Sequence, residues 1–137
     1  MLLKRLYETV AEMAARLDEL GADDLEDWRG LYAALHALQV QAQALLDMVR
    51  RLASLLGYAP ETPRDAARIL HDEGLLARDE LELVRRVAGF RNIVVHEYLG
   101  VDVGLVKRIV LGREYRRLVA LAARLLEGAA ERGLDDP

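Results

Sequence analysis

The sequence predicts an all-α fold, an up-and-down bundle of about five helices. Apolar residues recur at helical spacing along almost the whole chain. Alanine and leucine dominate, and aromatic residues make up only 5% of the 137 positions. The β-branched run from Ile93 to Val95 lies inside a helical pattern, so it does not predict a strand. We expect residues 1–132 to form one domain with its own core and residues 133–137 to form a flexible tail.

The first two predicted helices are long and amphipathic. Over residues 2–20 apolar side chains lie three and four positions apart, which forms a seam for a neighbouring helix or a second subunit. Asp23 and Asp24 can cap the second helix, whose apolar pattern continues to Gly57. Gly30 would weaken or bend that helix near its start. Capping explains the acidic residues here better than a metal site does.

The third and fourth predicted helices differ in length. Thr62 caps a short helix with Pro63 at its first position, where the missing N–H costs nothing. Gly74 ends that helix. The fourth helix starts near Arg78, and its apolar pattern runs to about Leu99. Within it, one buried stripe is predicted at helical spacing, formed by Leu83, Val87, Phe90 and Val94.

The last predicted helix follows Asp102, which can cap it, and extends over about residues 103–130. Gly112 is a possible break point within it. This helix carries much of the positive charge of the chain. Although the net charge is −4, nine basic residues and only three acidic ones lie between Arg85 and Arg124. Overall acidity argues against a general nucleic-acid binder, but the basic segment is either a local polyanion site or a solvated helix face.

Composition excludes other classes of protein. The sequence has no cysteine, which excludes disulfides and thiolate metal sites. It has neither a long uncharged apolar segment nor a signal peptide, so we expect a cytoplasmic protein without a membrane partner.

The polar exception in the fourth helix is the stretch from Arg91 to Tyr98. Asn92 and His96 are four residues apart and therefore neighbours on the helix surface. Arg91 and Tyr98 are seven apart, nearly eclipsed, and lie beside Val84. Arg91 should therefore lie partly among apolar groups, where a guanidinium needs a carboxylate, a phosphate or a second subunit as its partner.

The pattern R-x-x-x-x-H-x-Y, formed by Arg91, His96 and Tyr98, resembles the signature of the HEPN superfamily. It is similar in particular to the HepT branch, the toxins of HepT–MntA toxin–antitoxin pairs. The resemblance implies a homodimer whose two motifs face a shared groove and cleave RNA without a metal, leaving a cyclic phosphate. It also implies that Tyr98 is AMPylated by an MntA-like nucleotidyltransferase using ATP, whereas the chain itself needs no cofactor.

The residue types suit this chemistry. The substrate's own 2′-OH can act as the nucleophile if a base near neutral pKa removes its proton, and His96 is the candidate for that task or for protonating the leaving oxygen. Arg91 can bind the phosphate with its planar fork. Asn92 and Arg86 are candidate substrate-binding residues. Because Arg91 and His96 point about 140° apart on an ideal helix, either the helix unwinds near His96 or a second subunit completes the site.

Other readings stay open on the sequence alone. The chain could be a non-catalytic subunit that binds a nucleotide or a nucleotidyltransferase partner, or a purely structural helical dimerisation module. Tyr98 could anchor the helix end through its hydroxyl group, whether or not it is also modified.

Overall fold

The computed structural model describes residues 1–96 and 102–137, and over residues 93–96 it describes the backbone alone. Within that part of the chain there are six α-helices, a 3-10 turn at Asp24–Glu26 and no strand, so the all-α prediction is confirmed. None of the described helices is long and apolar enough to span a membrane. The helices are α1 Leu2–Asp18, α2 Trp28–Leu55, α3 Pro63–Asp72, α4 Arg78–His96, α5 Val103–Leu111 and α6 Arg116–Glu131.

Helix α2 is the centre of the bundle, and each of the other five helices packs against it. Its sequence explains this position, because the buried residues from Ala34 to Ala53 cover more than half of its circumference rather than one narrow stripe. Leu45, Val49 and Leu52 are fully buried. Burial of each such side chain stabilises the fold by about 1.5–3 kcal/mol.

The core has two parts, one around each half of α2. The larger part joins the second half of α2 to α3, α6 and the start of α4. The smaller part joins the first half of α2 to the end of α1, to α5 and to Tyr115. Phe90 packs against both parts. The distal end of α4 therefore lies where the two parts of the core meet.

The predicted last helix is divided into α5 and α6, and the break falls at Gly112, which the sequence marked as a possible break point. Gly112 follows the end of α5, and a Cβ there would lie 2.7 Å from the carbonyl oxygen of Arg108. Arg113 then adopts a left-handed conformation with φ of 55°. This conformation stops the helix, since an L-residue adopts it only singly. The resulting turn brings Arg113 and Arg116 against the end of α1.

The helix starts follow the expected capping chemistry with one correction. Thr62 and Asp102 accept hydrogen bonds from backbone N–H groups in the first turns of α3 and α5, as predicted. The cap of α2 is Asp27 rather than Asp23 or Asp24. The reason is the 3-10 turn, whose backbone lies so close to α2 that a Cβ at Gly30 would be 1.9 Å from a carbonyl oxygen.

The C-terminal residues lie against the start of α1. The Asp136 carboxylate accepts hydrogen bonds from the N–H of Leu3 at 2.6 Å and from Arg51 Nε at 2.9 Å. The ammonium group of Met1 donates to the carbonyl oxygen of Asp136 at 2.6 Å. These contacts join the two termini on one side of the bundle. The flexibility of residues 133–137 stays a prediction.

Candidate active site at the end of the fourth helix

The buried face of α4 differs from the predicted stripe and leads directly to Arg91. Val84 is fully buried and Ala88 is nearly so, whereas Leu83 and Phe90 are only partly buried. Val87 is buried, as predicted. The side chain of Val94, the last residue of the predicted stripe, lies outside the described residues. Arg91 lies seven residues after Val84 and three after Ala88, so it extends the buried face beyond Ala88 by about one turn. As predicted, its side chain is half-buried.

The partner of Arg91 is a neutral amide on α2. Arg91 Nε donates a hydrogen bond to Gln43 Oε1 at 2.9 Å. Gln43 Nε2 in turn donates to Asp47 Oδ1 at 2.8 Å. Within residues 1–96 and 102–137 Arg91 has no ion pair, so this relay orients the guanidinium through Nε alone. Such an arrangement can present the two terminal nitrogens to an anion such as phosphate.

The two candidate substrate-binding residues occupy different places. Asn92 follows Arg91 and is exposed. Arg86 is also exposed, but it lines a cavity between α4 and the α5–α6 pair. Five residues separate it from Arg91, so the two side chains leave α4 about 140° apart. Asn92 leaves α4 about 100° from Arg91, so neither of the two candidate residues shares the face of Arg91.

His96 is the last residue of α4, and its side chain lies outside the described residues, as does the whole of Tyr98. The backbone is nevertheless informative, because α4 is helical from Arg91 through His96. A regular helix separates these two positions by about 140° and roughly 7.5 Å along its axis. The helix does not unwind between the two positions, whereas the chain directly after His96 lies outside the described residues. Completion of the site by a second subunit stays a prediction.

Ion pairs take up much of the positive charge around the motif. Five of the nine basic residues between Arg85 and Arg124 pair with acidic residues in the described part of the chain. The other four have no ion pair there. These four are Arg86, Arg91, Arg108 and Arg117. Within the described residues, these four arginines are the basic residues of this segment that remain available to bind a polyanion.

Two of the paired arginines form a cluster with the carboxylate of Asp18. Asp18 Oδ1 accepts hydrogen bonds from Arg113 at 3.2 Å, from Arg116 at 3.1 Å and from the hydroxyl group of Tyr115. The hydrogen bonds from Tyr115 and Arg116 lower the pKa of Asp18. We refer to these four residues as the Asp18 cluster. It joins the end of α1 to the turn between α5 and α6.

The sequence analysis missed Gln43, the residue that orients Arg91. It lies on α2, 48 positions before its partner. A weak signal was available, because Gln43 is a polar residue flanked by the apolar residues Ala42 and Ala44. The Asp18 cluster was also missed, and no spacing in the sequence indicates it.

Comparison with known proteins agrees with this architecture. The sequence profile of the family described as ribonuclease HepT-like matches residues 6–124. A protein of Archaeoglobus fulgidus, named provisionally as an RNase, is 28% identical over 97 residues, which are 71% of this chain and 72% of that protein.

Solved structures provide a second comparison. A chain of a crystallised toxin–antitoxin complex with AMP-PNP is similar with a TM-score of 0.75 at 16% identity, over 88% of this chain and 97% of that one. A chain of the complex between the tri-AMPylated HEPN toxin of Shewanella oneidensis and its MNT antitoxin is similar with a TM-score of 0.75 at 17% identity, over 88% and 95% of the two chains. At these identities the likeness shows a shared helical fold.

Proposed function

Because this chain belongs to the ribonuclease HepT-like family, we propose that it is the toxin of a toxin–antitoxin pair and acts as a metal-independent endoribonuclease. The observation that carries the proposal is the setting of Arg91. A half-buried arginine is oriented by an amide while none of the described acidic residues pairs with its charge. Leaving a partly buried cation unpaired is costly, which favours an anionic substrate at this position.

The proposed reaction uses the RNA's own 2′-hydroxyl group as the nucleophile. His96 of one subunit removes the proton from the 2′-OH, and the 2′-oxygen attacks the adjacent phosphorus. Arg91 donates hydrogen bonds to the phosphate oxygens as negative charge builds on the phosphorane. The bond from phosphorus to the 5′-oxygen then breaks, and a solvent water molecule donates a proton to that oxygen. The products are a 2′,3′-cyclic phosphate and a 5′-hydroxyl end.

Two subunits are needed because of the geometry of α4. The helix is continuous from Arg91 through His96, and an ideal helix places two positions five residues apart about 140° from each other around its axis. A twofold dimer places the arginine of one subunit opposite the histidine of the other. Asn92, which is exposed beside Arg91, would bind the phosphate or fix the histidine tautomer.

The proposed antitoxin is an MntA-like minimal nucleotidyltransferase that modifies Tyr98. The Tyr98 hydroxyl group would attack the α-phosphate of ATP, AMP would be joined to its oxygen, and pyrophosphate would leave. The added phosphate brings negative charge and bulk to the groove, which would compete with RNA for Arg91. Support comes from the relative in Shewanella oneidensis, which is described as tri-AMPylated and in complex with an MNT antitoxin.

Cleavage of RNA in EDTA tests the catalytic assignment. We expect wild-type protein to cut tRNA or mRNA, whereas Arg91→Ala and His96→Ala lose about 10²-fold or more in rate. Arg85→Ala is a matched control, because Arg85 lies on the same helix but pairs with Glu82 on the surface. If all four proteins cleave equally, the assignment is wrong.

Mixing the two inactive variants tests the shared site. In a heterodimer of Arg91→Ala with His96→Ala, one of the two arginine–histidine combinations across the interface is intact, so part of the activity should return. Sites confined to single subunits would stay inactive after mixing, and that outcome would exclude the dimeric site but not the nuclease itself.

A second candidate function is a non-catalytic subunit that binds a nucleotide or the nucleotidyltransferase. The number of paired basic residues favours it, since few cations remain for an RNA strand. This alternative predicts a folded protein that binds the partner but neither slows growth nor cuts RNA. Comparing the growth of cells that express wild-type protein with that of cells that express His96→Ala separates the two functions.

Mass spectrometry of the wild-type and Tyr98→Phe proteins, each co-expressed with the nucleotidyltransferase partner, tests whether Tyr98 is the residue that carries AMP.

A further inference from the structure

Helix α3 brings an arginine onto α4 about two turns before the end of α4. Residues 73–77 connect the two helices, which pack against each other as an antiparallel hairpin. The start of α3 therefore lies beside the distal half of α4. Arg64 is the second residue of α3, and its Nη2 lies 3.5 Å from the position that a Cβ of Gly89 would occupy. Because glycine has no side chain, the guanidinium can lie close to the backbone of α4.

Arg64 approaches α4 on the side that carries Asn92 and the position of His96. Asn92 is three residues after Gly89 and His96 is seven residues after it, and the helix is continuous over this range. On a regular helix these two positions lie about 60° and about 20° from Gly89 around the axis. Arg91, two residues after Gly89, lies about 160° away from it. Arg64 and Arg91 therefore lie on nearly opposite sides of α4, and Arg64 shares the side of the histidine position.

The charge of Arg64 is accessible to a ligand. Its side chain is exposed, and it forms no ion pair with the residues in 1–96 and 102–137. Arg85 lies one turn before Gly89 on the same side of α4, but it pairs with Glu82 at 2.8 Å. Of these two arginines, only Arg64 therefore has its planar fork available for a phosphate.

We propose that Arg64 is a phosphate-binding residue for a strand of RNA that passes along this side of α4 toward His96. The inference rests on the proposed function and adds a contact outside the motif from Arg91 to Tyr98. Gly89 and His96 are separated by roughly 10 Å along the helix axis. Arg64 therefore binds a phosphate near the scissile one, not the scissile phosphate itself. The exposed Asn92 lies on the path between the two positions.

The salt dependence of binding tests the proposal without requiring cleavage. The full-length protein is titrated with a short single-stranded RNA whose 2′-hydroxyl groups are methylated, so that the nucleophile is blocked. We expect Arg64→Ala to bind about fivefold or more weakly at low salt. The slope of log affinity against log salt concentration should become less steep by about 0.7, the value for one lost phosphate contact on a single strand. Arg64→Lys keeps the charge and should restore the slope.

Arg68→Ala is the matched control. Arg68 is also exposed on α3 and has no ion pair with the described residues, but it lies one turn closer to the connection and further from the end of α4. Its loss should leave the slope close to that of wild type. An equal change in the Arg64 and Arg68 variants would indicate a general basic surface and would overturn the proposal.

Cleavage kinetics locate Arg64 relative to the reacting phosphate. In Arg64→Ala the loss should fall on KM rather than on kcat, because a contact to a neighbouring phosphate is the same in the bound substrate and in the transition state. A loss confined to kcat would place Arg64 at the reacting phosphate and contradict the proposal.

The binding results separate this proposal from the nuclease assignment. A wild-type salt slope in Arg64→Ala, or no binding of RNA by the wild-type protein, would overturn the role of Arg64. If RNA is cleaved while the Arg64→Ala slope is unchanged, the nuclease stands without this contact. If the slope changes as expected but no RNA is cleaved, Arg64 is a phosphate-binding residue and the nuclease assignment fails.

Discussion

Arginine is used in two opposite ways in this bundle. In the Asp18 cluster, Arg113 and Arg116 donate directly to one carboxylate, which also accepts from Tyr115. At the end of α4, Arg91 donates to the amide oxygen of Gln43, and the acidic residue Asp47 lies one hydrogen bond further away.

The difference separates a structural site from one suited to binding. In the Asp18 cluster two arginines share one carboxylate, and the hydrogen bonds from Tyr115 and Arg116 lower the pKa of Asp18. An amide instead restricts the position of a guanidinium while its charge is kept, which is what a phosphate site requires. Two groups of arginines in one basic segment therefore have different expected roles, and each role predicts a different result on substitution.

The largest expected effect distinguishes the two arginine sites directly. Arg91→Lys should reduce RNA cleavage by about 10²-fold, because lysine lacks both the fork for phosphate and the Nε–H that binds Gln43. The matched change Arg116→Lys should leave the cleavage rate within about twofold of wild type, since an exposed ion pair contributes little. Single-turnover cleavage of one labelled RNA measures both. Equal losses in the two variants would contradict the division of roles.

The next effect concerns stability. Asp18→Ala leaves the hydroxyl group of Tyr115, a residue that is only 2% exposed, without its acceptor. We expect the free energy of unfolding to fall by about 1–3 kcal/mol, the cost of an unsatisfied buried polar group. Urea denaturation gives this value. The double variant Asp18→Ala with Tyr115→Phe should recover part of the loss, and a loss that is unchanged would show that the arginines, not the tyrosine, dominate.

A smaller effect is expected where Gln43 orients Arg91. Gln43→Leu removes the acceptor of Arg91 Nε without removing the arginine. Cleavage should slow by about tenfold, because a looser guanidinium stabilises the phosphorane less well. Gln43→Glu, which places a carboxylate at the same position, should slow cleavage further by pairing with the charge. A faster Gln43→Glu enzyme would refute the argument that Arg91 must stay unpaired.

The smallest effect is the pH dependence of the Asp18 cluster. The pKa of the Asp18 carboxyl group is lowered in the folded protein. The Asp18 carboxylate therefore stabilises the fold fully above the pKa of the unfolded chain, which is about 3.9. This stabilisation is lost as the pH falls through the pKa of the folded protein. The stability difference between wild type and Asp18→Asn should be constant from about pH 7 to 5 and shrink below about pH 4. Denaturation of both proteins across this range measures it, and a difference that grows on acidification would have the wrong sign.

The sequence by itself determined the class of fold, most helix starts and the placement of Arg91. Apolar spacing defines amphipathic helices locally, and the side chains of Thr62 and Asp102 cap within their own turns, so no distant contact is needed. The same spacing showed that Arg91 would be partly buried. The division of the last helix was only partly visible, because a glycine such as Gly112 permits a break without requiring one.

Tertiary structure alone decided what each arginine contacts. Gln43 lies 48 residues from Arg91, and Asp18 lies 98 residues from Arg116. These pairs depend on how α1, α4 and the α5–α6 turn are placed around α2, and helical periodicity describes only the face that a side chain occupies on its own helix. Packing around α2 thus determines that Arg113 and Arg116 pair with a carboxylate, whereas Arg91 is oriented by an amide.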